Sequence, residues 1–177
     1  VVPMLLSRAY HATTDIPAAV ATARLQHSTP ITVTEPIGPD PVLLAALDEQ
    51  LAPGAPAVLA AAGTTNAFAR AELEDLADFW ERIRSARVLP AYASHEPRVA
   101  EVCRSLAKTT GAAPVVGTFV LFPGEMADRI ARESRGCQVS PPLCESAALL
   151  GILRDRVTTA EWRAAPFGED AVRRLPL

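Results

Sequence analysis

Short, strictly apolar runs alternate along this chain with segments whose apolar residues recur at helical spacing. Val1–Leu6, Pro30–Thr34, Ala57–Ala62, Val88–Ala93, Val115–Phe122 and Gln138–Pro142 read as strands. Between them, Asp15–Ala23, Pro41–Leu51, Phe68–Arg84, Pro97–Thr110, Gly124–Ser134 and Ser146–Val157 read as helices. Asp15 can cap the first helix, with Pro17 tolerated in its opening turn. In the third, Leu73, Leu76, Phe79, Trp80 and Ile83 are predicted to share one face. Strands that are apolar at successive positions are buried on both sides, so the pattern predicts an α/β fold with an open parallel sheet and helices on both faces. Right-handed crossovers follow.

The pattern also repeats. Val33-Thr34-Glu35-Pro36-Ile37 aligns with Val139-Ser140-Pro141-Pro142-Leu143 at an offset of about 106, and Leu43, Leu44 and Leu47 fall on Leu149, Leu150 and Leu153 at the same offset. The strand leading to His11 aligns with Val116–Met126 at roughly 115, which puts Met126 at the histidine position. Residues 1–51 are therefore expected to be the C-terminal part of a first repeat and 56–157 a complete second one, split by the Pro53-Gly54 break. Residues 158–177 read as a loosely structured tail. Because Val1 already lies inside an apolar run, further residues are expected upstream of it, and an unpaired strand edge there would favour a homodimer.

Composition narrows the class. Nearly half of the 177 residues are apolar and 5% are aromatic, so the core is aliphatic. The net charge of −3 comes without a dense Lys/Arg run, so no nucleic-acid or anionic-membrane surface is expected. No apolar run reaches the length of a membrane span. Cys103, Cys137 and Cys144 form neither a CxxC nor a paired framework, which reads as free thiols in a reducing, cytoplasmic compartment.

Three histidines carry the candidate chemistry. His11 lies beyond the carboxyl end of a strand, where open α/β sheets place their ligands, and imidazole is a common ligand for transition metals. Asp15, four residues on, could orient it if the turn is helical. The residues alone leave His11 open between a ligand and a solvated loop side chain. His27, in the polar turn Gln26–Pro30, reads as solvated. His95, beside Glu96 and Pro97 after another strand, reads as a helix-entry residue. Gly63-Thr64-Thr65-Asn66 sits between strand and helix but lacks GxGxxG and the P-loop Gly-Lys-Ser/Thr, so a capped turn explains it better than an anion site.

The segment Val2-Pro3-Met4-Leu5-Leu6-Ser7-Arg8-Ala9-Tyr10-His11, followed by Asp15-Ile16-Pro17, resembles the second metal-site motif of the CbiX/SirB family. These are class II chelatases that insert cobalt or iron into sirohydrochlorin. The resemblance extends over nearly all of residues 1–157, in the two-repeat form, and implies a Rossmann-like chelatase fold. In that motif the histidine binds the incoming metal and helps remove pyrrole protons; His11 matches it. The second repeat departs from the family: its strand-end histidine is replaced by Ala62, its acidic residue by Ala93 and its third position by Met126.

The resemblance thus implies a lyase-type sirohydrochlorin chelatase of cobalamin or siroheme biosynthesis, with His11 as catalytic residue and metal ligand. The cobalt or iron is a substrate, and no permanent cofactor is implied. A carboxylated tetrapyrrole would want a cationic donor at the rim, and Arg8 is placed to serve as one. The alternative is a non-catalytic tetrapyrrole- or metal-binding module, which the Ala62, Ala93 and Met126 replacements favour. A His-Gly-Ser/Thr-Arg strand end upstream of Val1 would favour the enzyme.

Overall fold

The run Ala57–Ala60 is completely buried, and its side chains alternate between two separate apolar clusters. Ala57 and Leu59 face one, Val58 and Ala60 the other, as a strand covered on both sides requires. In the computed structural model, which describes residues 1–164 and the side chains through Ala160, this run is strand β1 (Ala57–Ala61) at the interior of a four-stranded sheet. Strands β2 (Val88–Tyr92), β3 (Val115–Phe119) and β4 (Gln138–Val139) complete it in the order β2-β1-β3-β4, every pairing parallel.

Helices α1 (Ile16–Gln26) and α2 (Val42–Asp48) precede the sheet. Helices α3 (Ala67–Arg84), α4 (Val99–Thr110) and α5 (Glu125–Glu133) form the crossovers, and α6 (Ala147–Ala164) follows. Leucines of α2, α3 and α6 cover one face with Trp80. Val99, Val102 and Leu106 of α4 and Ile130 of α5 cover the other. The α/β fold with a parallel sheet and helices on both faces is thus as the sequence predicts.

Two predicted strands are not regular ones. Residues 1–5 and 32–38 are extended and run in parallel, joined by Val1 N to Thr32 O (2.7 Å), Thr34 N to Val1 O (3.0 Å), Ile37 N to Pro3 O (3.2 Å) and Gly38 N to Leu5 O (3.0 Å). Pro3 and Pro36 have no N–H, so the ladder breaks and slips where each sits. Likewise β4 is two residues long because Pro141 and Pro142 stop it, and Ser140 replaces the missing rungs. Its Oγ accepts from Thr118 N at 2.9 Å, while its carbonyl accepts from Thr118 Oγ1 at 2.7 Å.

On α3, Phe79 and Ile83 turn outward, and the inner face is Ala69, Leu73, Leu76, Ala77, Trp80 and Arg84. The last helix continues seven residues beyond Val157, to Ala164, where the sequence reading placed the start of a loose tail. The remainder of that tail, residues 165–177, lies outside the described residues.

Trp80 fixes how α3 sits on the sheet. A Cβ at Gly117 of β3 would lie 2.6 Å from Trp80 Cη2 and 3.2 Å from Leu47 Cδ1. Gly117→Ala is therefore expected to destabilise the fold by roughly 1–3 kcal/mol through overpacking, read as a lower urea midpoint.

Candidate functional site

The chain leaves β1 towards β2 on one side and later returns to β3 on the other. The carboxyl ends of β1 and β3 therefore flank the point where the strand order reverses. A cavity of about 340 Å³ lies there. Met4 and Leu6 form one wall, Leu73 and Leu76 of α3 another, and Leu121 and Phe122 close it beyond β3. Its lining is mostly apolar, and Glu72 of α3 is the charged residue in it. Tyr92, at the end of β2, also faces it; burial, then the nearby Glu74 carboxylate, holds its phenol above the ordinary range.

The wall formed by Met4–Ser7 leads directly into the loop that carries His11. Residues 6–9 are bends, followed by a π-helical turn, His11–Asp15, which runs into α1. That turn brings His11 and Asp15 together: Nδ1 donates to Asp15 Oδ2 at 2.5 Å. The imidazole is 74% exposed. With Nδ1 held by a carboxylate, Nε2 is the nitrogen left for a ligand, the arrangement by which carboxylate–histidine pairs present a metal ligand.

Arg8 does not stand free at the rim. Its Nη1 donates to Glu72 Oε1 at 3.0 Å, and its Nε lies 3.6 Å from Glu35 Oε2. Two carboxylates offset its charge, so it is a poor anion receptor and a strong tie between this loop and α3.

The other candidates are placed as follows. His27 is exposed just past α1. His95 Nδ1 lies 2.8 Å from Ser94 Oγ; that hydroxyl already donates to Ala62 O at 2.7 Å, so the imidazole is the donor. Gly63 is required by this crossing of loops: its φ is +111°, and a Cβ there would fall 2.6 Å from Ser94 Oγ and 2.8 Å from His95 Nδ1. In the following turn Asn66 Oδ1 caps Ala69 N at 3.1 Å, and Thr64 Oγ1 accepts from Asn66 N at 3.1 Å. The turn uses its own amides, in line with a capped turn rather than an anion site. Ala93 is fully buried, and Ala62 and Met126 pack against the same apolar cluster. All three positions thus belong to one apolar face of the sheet and carry no polar side chain. Among the described residues, no group of three or more His, Cys, Asp or Glu side chains is gathered closely enough to hold a metal.

Glu72 was the residue missed in the sequence. Ala69, Glu72, Leu73 and Leu76 fall at i, i+3, i+4 and i+7 and all line the cavity. A carboxylate inside an apolar helical stripe was the available signal.

The three cysteines are free, as expected. Burial, then the adjacent Cys137, pushes the Cys103 thiol up to about 12 from an ordinary 9.0. The unfolded thiol ionises first, so this group leaves stability unchanged below pH 9 and lowers it between 9 and about 12. Cys103 is expected to resist iodoacetamide at pH 8 until the protein is unfolded, as mass spectrometry of the alkylated chain would record.

Residues 1–53 match the family model CbiX. No curated protein sequence matches the chain. Among solved structures, SirB from Bacillus subtilis with Fe3+ superposes with a TM-score of 0.79 at 21% identity, over 94% of this chain and 73% of that one. The sirohydrochlorin chelatase SirB from Bacillus subtilis subspecies spizizenii in complex with cobalt gives 0.75 at 21% identity, over 94% and 70%. CbiX, described as the terminal enzyme for biosynthesis of siroheme in denitrifying bacteria, gives 0.67 at 16% identity, over 90% and 74%. The family match covers the segment that carries His11, and the structural matches establish the fold. Similarity to the CbiX family thus rests on residues 1–53, and similarity to SirB and CbiX over the rest of the chain is one of fold.

Proposed function

From the family match over the His11 segment and the likeness in fold, we propose that the chain takes part in inserting a divalent metal, cobalt or iron, into sirohydrochlorin. The observation that carries the reading is His11 itself. It lies in the matched segment, is exposed, and has one ring nitrogen fixed by Asp15 at 2.5 Å. Insertion exchanges one M2+ for the two N–H protons of the free-base macrocycle. The ion must therefore be held weakly and passed on, and the protons must be accepted. One imidazole nitrogen with open surroundings suits both in turn: its lone pair holds the ion, after transfer the same lone pair takes one of the two protons, and the other leaves to solvent water at this exposed site.

The cavity walled by Met4–Ser7, about 340 Å³ and mostly apolar, is at the small end of small-molecule sites. It is too small to take the whole carboxylated macrocycle.

A second reading has its own support. The apolar packing of Ala62, Ala93 and Met126 favours a tetrapyrrole- or metal-binding module without turnover. Absorbance spectra during incubation of the chain with sirohydrochlorin and cobalt(II) or iron(II) separate the two. A metal-dependent rate above the protein-free rate is expected for the chelatase. A bound, unmetallated tetrapyrrole with no such rate would establish the module and overturn the enzyme reading.

A further inference from the structure

The loop that delivers His11 has very few attachments. From Ser7 to Gln26, among the described residues, Val20 is the buried apolar side chain. Side-chain hydrogen bonds leave this span at two places: Arg24 to Ile31 O at 2.6 Å, and Arg8 to Glu72. The first lies at the far end of α1 and holds the helix to its own returning strand. The second lies three residues before His11 and reaches a helix of the other unit, 64 residues away in sequence.

Glu72 is suited to hold rather than to be solvated. Its side chain is 12% exposed against 44% for Arg8, and its Oε2 is buried without a hydrogen-bond partner. Arg8 is therefore the main compensation for that charge, and separating the two would strand it. The backbone ties of residues 1–5 to residues 32–38 end at Leu5. From there to the π-helical turn, the loop is held by Leu6, packed on the main apolar cluster, and by Arg8, which bonds Glu72 at 3.0 Å and lies 3.6 Å from the more exposed Glu35.

We propose that Glu72 is a positioning residue, acting through Arg8 to fix the bend Leu6–Ala9 and with it the place of His11, whose loop leaves the cavity wall at Ser7. This rests on the reading of His11 as a metal ligand. It gives the second unit, whose own polar positions have become hydrocarbon, a part in the site: its helix α3 supplies the anchor. A ligand that is present but loosely held loses function through disorder, so the effect belongs to position more than to affinity.

Cobalt(II) alone is a sufficient probe, because a paramagnetic ion on His11 shifts nearby methyl resonances according to where it is held. Leu73 and Leu121, on opposite cavity walls, are the reporters. In the unsubstituted chain they are expected to show cobalt-induced shifts that His11→Ala removes. Glu72→Gln, which keeps the volume, and Arg8→Gln, which breaks the pair from the other side, should each reduce the shifts by about half or more. Each should alter cobalt affinity less than about fivefold, with the amide spectrum of the remote α4 unchanged. Full-sized shifts in both variants would overturn the positioning role. Shifts in the unsubstituted chain that survive His11→Ala would instead sink the ligand reading on which it rests.

Discussion

Replacing His11 with alanine is expected to slow metal insertion by about a hundredfold or more, towards the protein-free rate. Loss of a positioned proton acceptor alone removes roughly 10²–10⁴ in rate, and here the same side chain is also the proposed metal ligand. Asp15→Asn should act in the same direction but more mildly, by roughly tenfold, because it loosens the orientation of the ring without removing the nitrogen. The geometry also predicts how the two combine. Asp15 donates nothing and touches His11 Nδ1 at 2.5 Å, so its effect runs through the imidazole. The double variant should be no slower than His11→Ala, since residues acting as a unit are not additive. Initial rates followed by absorbance, at saturating tetrapyrrole and varied cobalt, would decide it. Independent, multiplying losses would mean that Asp15 has a separate role, and an undiminished rate in His11→Ala would remove His11 from the mechanism.

How far the sequence could be read depended on the range of the interaction concerned. Strand β1 was legible because both neighbours of every residue along it are apolar, which only a twice-covered strand needs. The His11–Asp15 pair was legible because a single helical turn joins residues four apart. Val1–Leu6 and Pro30–Thr34 were equally apolar, yet their ladder depends on which amides face each other, and Pro3 and Pro36 meet that pairing where no N–H is available. The inner face of α3 was misassigned at its end. Spacing alone admits Ile83, whereas the niche above Gly117 sets the rotation of the helix and turns Arg84 inward. The partner of Arg8 was likewise invisible. Glu72 is an ordinary acidic residue of an amphipathic helix until the fold carries the first segment across it.

The largest stability effect is expected at Asp48, for the same long-range reason. Asp48 ends α2 and accepts from two residues of α3: Trp80 Nε1 at 2.9 Å, and Arg84 Nη1 in a close ion pair. Arg84 is 1% exposed, with the carbonyls of Ala52 and Ala55 as its other partners. Asp48→Ala would leave that guanidinium buried without a counter-charge and the indole N–H without an acceptor. Breaking a fully buried pair costs about 3–5 kcal/mol; the one-third exposure of Asp48 screens this one, so about 2–3 kcal/mol is expected. Removing the other partner should be gentler. Arg84→Met fills the space with hydrocarbon and leaves Asp48 partly solvated and still bonded to Trp80, for roughly 1 kcal/mol. The asymmetry is the test: urea unfolding should rank Asp48→Ala well below Arg84→Met, and the reverse order would mean the ion pair is held by packing rather than holding it. Since α2 brings Leu43, Leu44 and Leu47 onto the sheet, Asp48→Ala should also loosen residues 1–53 from the body before global unfolding. Faster amide exchange in α2 than in α4 would mark this, and equal protection of the two helices would show that the leucines suffice without the ion pair.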